Sequence, residues 1–230
     1  IAGSLTAVRL GVNNGAKTKL SRRYTPYHVQ HRTEVMGFMT ILHGDARFYN
    51  NIFVQKPMRP GMIEIMNANK GNEWTDANLV AGTIPYDSYP TYEEWIKQFE
   101  GYCGMGSAPS DRYYNPLPVW AEGNAYFNGA KPMKKETDAT VDSTNKVTFS
   151  LEEKNGKWTF STNVYEFLSE GKCGTISTET LGEAFESEQK FENPDGSPIT
   201  FDMDMFGNKR SVNPVAGPLE AKGKDCKVEF

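Results

Sequence analysis

Two short runs, Asn51-Ile52-Phe53 and Asn124-Ala125-Tyr126-Phe127-Asn128, each bring an asparagine into a brief apolar β-type segment. The opening Ile1-Ala2-Gly3-Ser4 reads as the tail of a third copy. Units that recur at long spacing mark a solenoid, because one coil buries its apolar face only on its neighbours. Asparagine suits the corner of such a coil. Its short side chain tolerates left-handed backbone and can bond the asparagine of the next coil, forming a ladder. Ordinary strand–turn asparagines give the same pattern, so the repeat sets an expectation that needs the structure. Coils without a cap expose an apolar, edge-bearing cross-section. Something must cover it: an N-terminal remainder of a larger protein, or another copy in a homo-oligomer.

Three zones follow along the chain. Residues 1 to about 56 carry short β-type runs, Met36 to Leu42, Arg47-Phe48-Tyr49 and Ile52-Phe53-Val54, with Gly44-Asp45 as a turn. An insertion at about 57–115 holds one clear helix. Thr91 caps Tyr92 to Phe99 and Glu94 returns the bond three residues on, a capping box, so the Glu93-Glu94 pair is helix-start chemistry. Trp95 and Phe99 lie four apart on one face, and Gly101 is a stop signal. Beyond about residue 134 the pattern is antiparallel. Val147 to Leu151 and Trp158 to Phe160 alternate on either side of Asn155-Gly156, a dipeptide that suits a type I′ hairpin turn. Asn193-Pro194-Asp195-Gly196 is a second turn signal before an alternating run, Ile199 to Met203, expected as a strand. The expected fold class is mainly β: right-handed parallel β-helix coils over 1–133, and an appended antiparallel β-sandwich over 134–230.

Composition excludes several partners. With 25 Lys and Arg against 29 Asp and Glu, a net charge of −4 and no basic stripe, nucleic acid is not expected. No run approaches the eighteen or so apolar residues of a membrane span. Cys103, Cys173 and Cys226 form no CxxC pair, so neither a zinc knuckle nor a redox motif is supported. Read as free thiols they fit a reducing, cytoplasmic compartment, with a secreted or periplasmic location as the alternative.

Two stretches are more specific: Arg23-Tyr24-Thr25-Pro26-Tyr27-His28-Val29-Gln30-His31, and His43-Gly44-Asp45-Ala46-Arg47-Phe48-Tyr49-Asn50-Asn51-Ile52-Phe53-Val54. With Tyr89 to Trp95, Gly123 to Pro132, Phe191 to Gly196 and Asn213 to Glu220, they resemble the β-xylosidases of glycoside hydrolase family 120 over nearly all 230 residues. The resemblance implies a parallel β-helix with an accompanying β-sandwich, no cofactor, and retaining hydrolysis of short β-1,4-xylooligosaccharides. That chemistry uses two carboxyl groups about 5 Å apart, a nucleophile and an acid/base. In the family they sit on neighbouring coils in segments upstream of Ile1. No stretch here matches either, so no catalytic residue is assigned in this chain, and the chain alone is expected to be inactive. The alternative is a non-catalytic polysaccharide-binding or structural β-helix protein. A polysaccharide lyase, with a basic residue near a calcium-held uronate, has no distinctive support in the sequence.

A sugar site needs flat apolar faces for the pyranose and fixed donors and acceptors for its hydroxyls. The segment Arg22 to Arg32, expected as a loop stiffened by Pro26, supplies both: Tyr24 and Tyr27 for stacking, and Arg23, His28, His31 and Arg32 for hydrogen bonding. His28 and His31 also have metal-ligand spacing, but Pro26 and Val29 disfavour a helix and no third ligand lies close, so no metal is assigned; structural histidines are the competing reading. Asp45 is expected in turn chemistry. Asp202 and Asp204, two apart on the late strand, face solvent or a cation. Trp74 and Trp120 either flank a sugar cleft or belong to the core.

Overall fold

The computed structural model describes residues 2–3, 24–28, 33–40, 44–57, 61, 64, 68, 81–101, 115–185, 187–220, 223 and 226–230. In chain order the elements begin with strands β1 (Ala2–Gly3), β2 (Tyr24–His28), β3 (Val35–Thr40), β4 (Ala46–Tyr49) and β5 (Ile52–Gln55). Helix α1 (Tyr92–Lys97) and strands β6 (Val119–Glu122), β7 (Ala125–Phe127) and β8 (Thr140–Asp142) follow. The hairpin strands β9 (Phe149–Lys154) and β10 (Lys157–Thr162) precede helix α2 (Thr178–Leu181). Strands β11 (Glu183–Ala184), β12 (Gln189–Lys190) and β13 (Cys226–Glu229) complete the set. The fold is mainly β, with few helices and open sheets. β1, β5, β7 and β8 pair in parallel in that order, and β4 pairs in parallel with β6. A parallel bridge between Gly82 and Lys131 adds a third side. The parallel stack runs on to Asp142, beyond the boundary expected at 133.

The repeat seen in the sequence is the register of this stack. Ile52 lies against Ala125 and Phe53 against Tyr126, so Asn51 and Asn124 occupy equivalent corners. The asparagine ladder is present: Asn124 Oδ1 accepts from the Asn51 backbone N–H at 2.8 Å and from Asn51 Nδ2 at 3.0 Å. The left-handed residue is the one before it. Asn50 has φ 55°, and its equivalents Gly123 and Asp138 have φ 66° and 55°. Glycine is favoured in the middle of this column, where φ is 66° and a Cβ on Gly123 would lie 2.8 Å from Cys173 Sγ.

Each corner turns the chain so that alternate residues enter one interior. Phe48 from β4 and Phe53 from β5 meet Tyr126, Val119, Ala121, Tyr86 and Met133. Phe53 and Tyr126 stack with centroids 5.1 Å apart and planes 4° from parallel. Both are fully buried, and each contributes roughly 2–3 kcal/mol of burial free energy. The residues between them point outward. Val54, Ala125 and Phe127 form a second core with Val147, Val164, Tyr165, Val215 and Leu219. The interior and this outer apolar layer share one sheet as their partition.

Local signals hold where the chemistry is local. Thr91 Oγ1 accepts from the Glu94 N–H, and Glu94 returns the bond to the Thr91 N–H at 2.9 Å. Trp95 is buried against Phe99 and Phe185, while Ile96 stays exposed. Asn155 and Gly156 both have positive φ, 55° and 76°, and close the β9–β10 hairpin between Lys154 and Lys157. The strand expected at Ile199 to Met203 does not form. Thr200 and Met203 make single antiparallel bridges to Ser177 and Lys209. Asp204 takes the local backbone instead, accepting from the Phe206 and Asn208 N–H groups, each at 2.9 Å. The antiparallel part has a three-stranded sheet, β13–β10–β9, and a short β11–β12 ladder.

Candidate functional site

The segment expected as a sugar-contacting loop contains strand β2, antiparallel to β3, with Tyr24 opposite Thr40, Tyr27 opposite Gly37 and His28 opposite Val35. Proline is tolerated there because, among the described residues, β2 pairs on one side alone, with β3. Tyr24, Tyr27 and His28 therefore share one short strand, with a register shift between Tyr27 and His28. Arg23, His31, Arg32, His43, Trp74 and Cys103 lie outside the described residues.

A groove of about 1240 Å³ lies over the outward faces of β4 and β6, between α1 and the α2–β11 segment. Its floor follows from strand alternation. Phe48 and Ala121 face the interior, so Arg47 and Trp120, paired in register, face out. The Arg47 guanidinium lies 4.1 Å from the Trp120 ring centroid and 4.7 Å from that of Phe191. It donates to the carbonyls of Leu181 at 2.7 Å and Glu183 at 2.6 Å, and to Asp45 Oδ1 at 2.5 Å. Asp45 Oδ2 accepts the Phe185 N–H at 2.8 Å. With only 7% of its side chain exposed, Arg47 fastens the wall of the groove to its floor. Tyr92 and Ile96 line the same space with their surfaces exposed, and Glu179 and Lys190 bring opposite charges. Aromatic surface, charged groups and backbone carbonyls together suit a polyhydroxylated ligand. Trp120 lines this groove; the locking role of Arg47 was not signalled, because the two carbonyls it holds, those of Leu181 and Glu183, lie more than 130 residues away.

Several acids of the described residues are occupied by structure. Glu94 serves the capping box and bonds Lys135 Nζ at 2.5 Å. Asp202 bonds Lys209. Bonds from the Asn208 side chain and nearby backbone N–H groups hold Asp204 down at about 2. Asp195 is lowered by the Ser197 hydroxyl and backbone. Burial pushes the Cys173 thiol up to about 11, and its Sγ donates to Asn50 Oδ1.

One acid stands apart inside the stack. Glu136 Oε1 accepts from Asn124 Nδ2 at 2.8 Å, while Oε2 meets Thr83 Oγ1 at 3.0 Å and the Tyr126 hydroxyl. Thr83 Oγ1 and Tyr126 Oη are 2.9 Å apart, so three oxygens form a triangle. Two hydroxyl protons serve three contacts when Glu136 is ionised; a protonated Glu136 supplies the third. Burial drives its pKa above the ordinary carboxylate range, partly offset by bonds from Tyr126, Asn124 and Thr83. A raised folded-state pKa means that its contribution to stability is fully present below about pH 4.3, the ordinary glutamate value. That contribution is lost as pH rises through the folded-state pKa. The melting temperature of Glu136→Gln minus that of the wild type should therefore increase as pH rises from about 4 to 7. A difference that is flat with pH would rule out this titration.

No family model matches the chain, and no curated protein matches it. Among solved structures it is similar to that of XylC in complex with xylose. The two share 29% sequence identity and a TM-score of 0.69 over 90% of this chain. The match covers 29% of the XylC chain, so this chain spans less than a third of that protein's length and shares its β-rich fold there.

Proposed function

We propose that this chain is part of a xylosidase-like glycoside hydrolase built on a right-handed parallel β-helix, with the catalytic carboxyl pair contributed by coils that precede β1. The observation that carries the reading is the likeness to a xylose-bound protein across nine-tenths of the chain. Parallel pairing on three sides with an asparagine ladder at one corner supports the β-helix. The substrate class is short β-1,4-xylooligosaccharide, cleaved with retention by two carboxyl groups about 5 Å apart. Arg23, Tyr24, Tyr27, His28, His31 and Arg32 contribute one wall of the pocket, with the tyrosines stacking on sugar rings.

The complete polypeptide, assayed on aryl β-xylosides and xylooligosaccharides, should release xylose, and the β-anomer first by NMR. Tyr27→Ala should raise KM about tenfold, the loss of roughly 1.4 kcal/mol of stacking. Cleavage of another glycan with no turnover of either xyloside would sink the substrate. A second reading, a polysaccharide-binding protein without hydrolysis, is favoured by the engagement of Glu94, Asp195, Asp202 and Asp204 in a cap, turns and an ion pair. Calorimetric binding of xylan with no hydrolysis would establish it.

A further inference from the structure

The groove between α1 and the α2–β11 segment holds about 1240 Å³, more than the ~300–1,000 Å³ that a single small ligand fills. Its walls and floor come from α1, β4, β6 and α2–β11, and none of these elements supplies a residue assigned above to the hydrolytic pocket. The apolar surfaces in it are held outward by the local structure. The capping box sets the start of α1, and Trp95 turns inward against Phe99 and Phe185. Tyr92 and Ile96, four apart, thereby share one wall and stay 47% and 43% exposed. Phe185 braces the Tyr92 ring, with centroids 6.5 Å apart and planes inclined at 66°. An added Cβ on Gly182, which also lines the groove, would meet nothing within 4 Å, so the lining there is bare backbone.

Charge narrows the ligand. Glu179, Glu183 and Glu188 line the groove with exposed side chains, against one exposed cation among the described residues, Lys190. The other cation of the lining, Arg47, is already paired with Asp45 at 2.5 Å. The lining is therefore acidic. Carboxylates repel an anionic chain and accept hydrogen bonds from hydroxyls, while flat apolar surface packs on the faces of sugar rings. An extended peptide would need main-chain partners instead, and here the Leu181 and Glu183 carbonyls already receive Arg47.

We infer that this groove is a second carbohydrate site, separate from the hydrolytic pocket, which holds an internal stretch of a long neutral xylan chain and disfavours uronate-substituted chains. Tyr92 and Ile96 carry the ring faces, and the exposed glutamates accept from the sugar hydroxyls. Holding the polymer here raises the effective concentration of its ends at the pocket. The inference rests on the carbohydrate-active reading of this chain and not on hydrolysis.

Electrophoresis of the complete polypeptide through gels containing long xylan, whose chain ends are few, tests it. Neutral xylan should retard the wild type, and glucuronate-substituted xylan should retard it less. Tyr92→Ala should raise the dissociation constant for neutral xylan about tenfold, the loss of one stacking face. Ile96→Ser, on the same wall, should raise it too, and carries the test if Tyr92→Ala lowers the melting temperature. Replacing Glu179→Gln and Glu183→Gln together should close the gap between the two xylans. Tyr27→Ala, in the segment assigned to the hydrolytic pocket, should be retarded like the wild type. No retardation by neutral xylan, wild-type migration of either folded wall variant, tighter binding of the substituted xylan, a gap that persists in the double variant, or loss of retardation in Tyr27→Ala would each overturn it. Turnover of an aryl β-xyloside, measured alongside, keeps the two readings apart. Turnover without retardation removes this site alone, and retardation without turnover removes hydrolysis alone.

Discussion

Asn124→Ala should lower the unfolding free energy by about 3–5 kcal/mol, the cost of leaving several buried polar groups unpaired at once. Asn124 is fully buried and holds three separate pieces of chain. Its Oδ1 receives the Asn51 backbone N–H and amide. Its Nδ2 donates to the Phe48 carbonyl and to Glu136, both at 2.8 Å. Alanine removes every one of these bonds. Urea unfolding should show a lower midpoint with an unchanged slope. Asn51→Ala, at a half-buried position, should cost about 1 kcal/mol. A loss below about 1 kcal/mol for Asn124→Ala would show that the ladder does not hold the parallel strands together.

Gly82→Ala should be comparably severe, about 3 kcal/mol or more, for a reason unrelated to hydrogen bonding. Gly82 has φ 129°, and a Cβ there would lie 2.0 Å from the Lys131 carbonyl oxygen. That atom is backbone and cannot swing aside. It also accepts the Thr83 N–H at 3.1 Å, so any retreat loosens the third side of the stack. Gly101 provides the comparison, since its φ of 78° is left-handed but its Cβ would meet open space. Gly101→Ala should cost only about 1 kcal/mol. Parallel thermal melts of the two variants separate conformational strain from collision. Equal losses would mean that the close approach of Lys131 is not what demands glycine.

Features set by neighbours in sequence were legible in it. The capping box, the Asn155-Gly156 turn and the equivalence of Asn51 and Asn124 need only local chemistry or a repeated motif. The late strand failed for the converse reason. Alternation over Ile199 to Met203 says which side chains would share a face, but a strand also needs a partner edge, and Asp204 draws the nearby N–H groups into a turn. Arg22 to Arg32 looked like a loop because of Pro26, yet a two-stranded ladder accommodates proline within β2. Glu136 and Arg47 gave no sign of their roles. Each becomes decisive only when residues far apart in the chain meet, as Asn124 and Tyr126 do around one and Trp120, Leu181 and Glu183 around the other.

The column of left-handed residues at Asn50, Gly123 and Asp138 has a consequence for how such a chain can change. Since the pitch is enforced at the corner, the length of chain spent between one corner and the next is nearly free. Between β5 and β6 the chain meets the stack again at the Gly82–Lys131 bridge, and Ile52 still lies opposite Ala125. Doubling that length adds only about 0.6 kcal/mol of closure entropy. Whole elements, α1 among them, can thus be acquired, lengthened or exchanged between turns while the scaffold beneath keeps time.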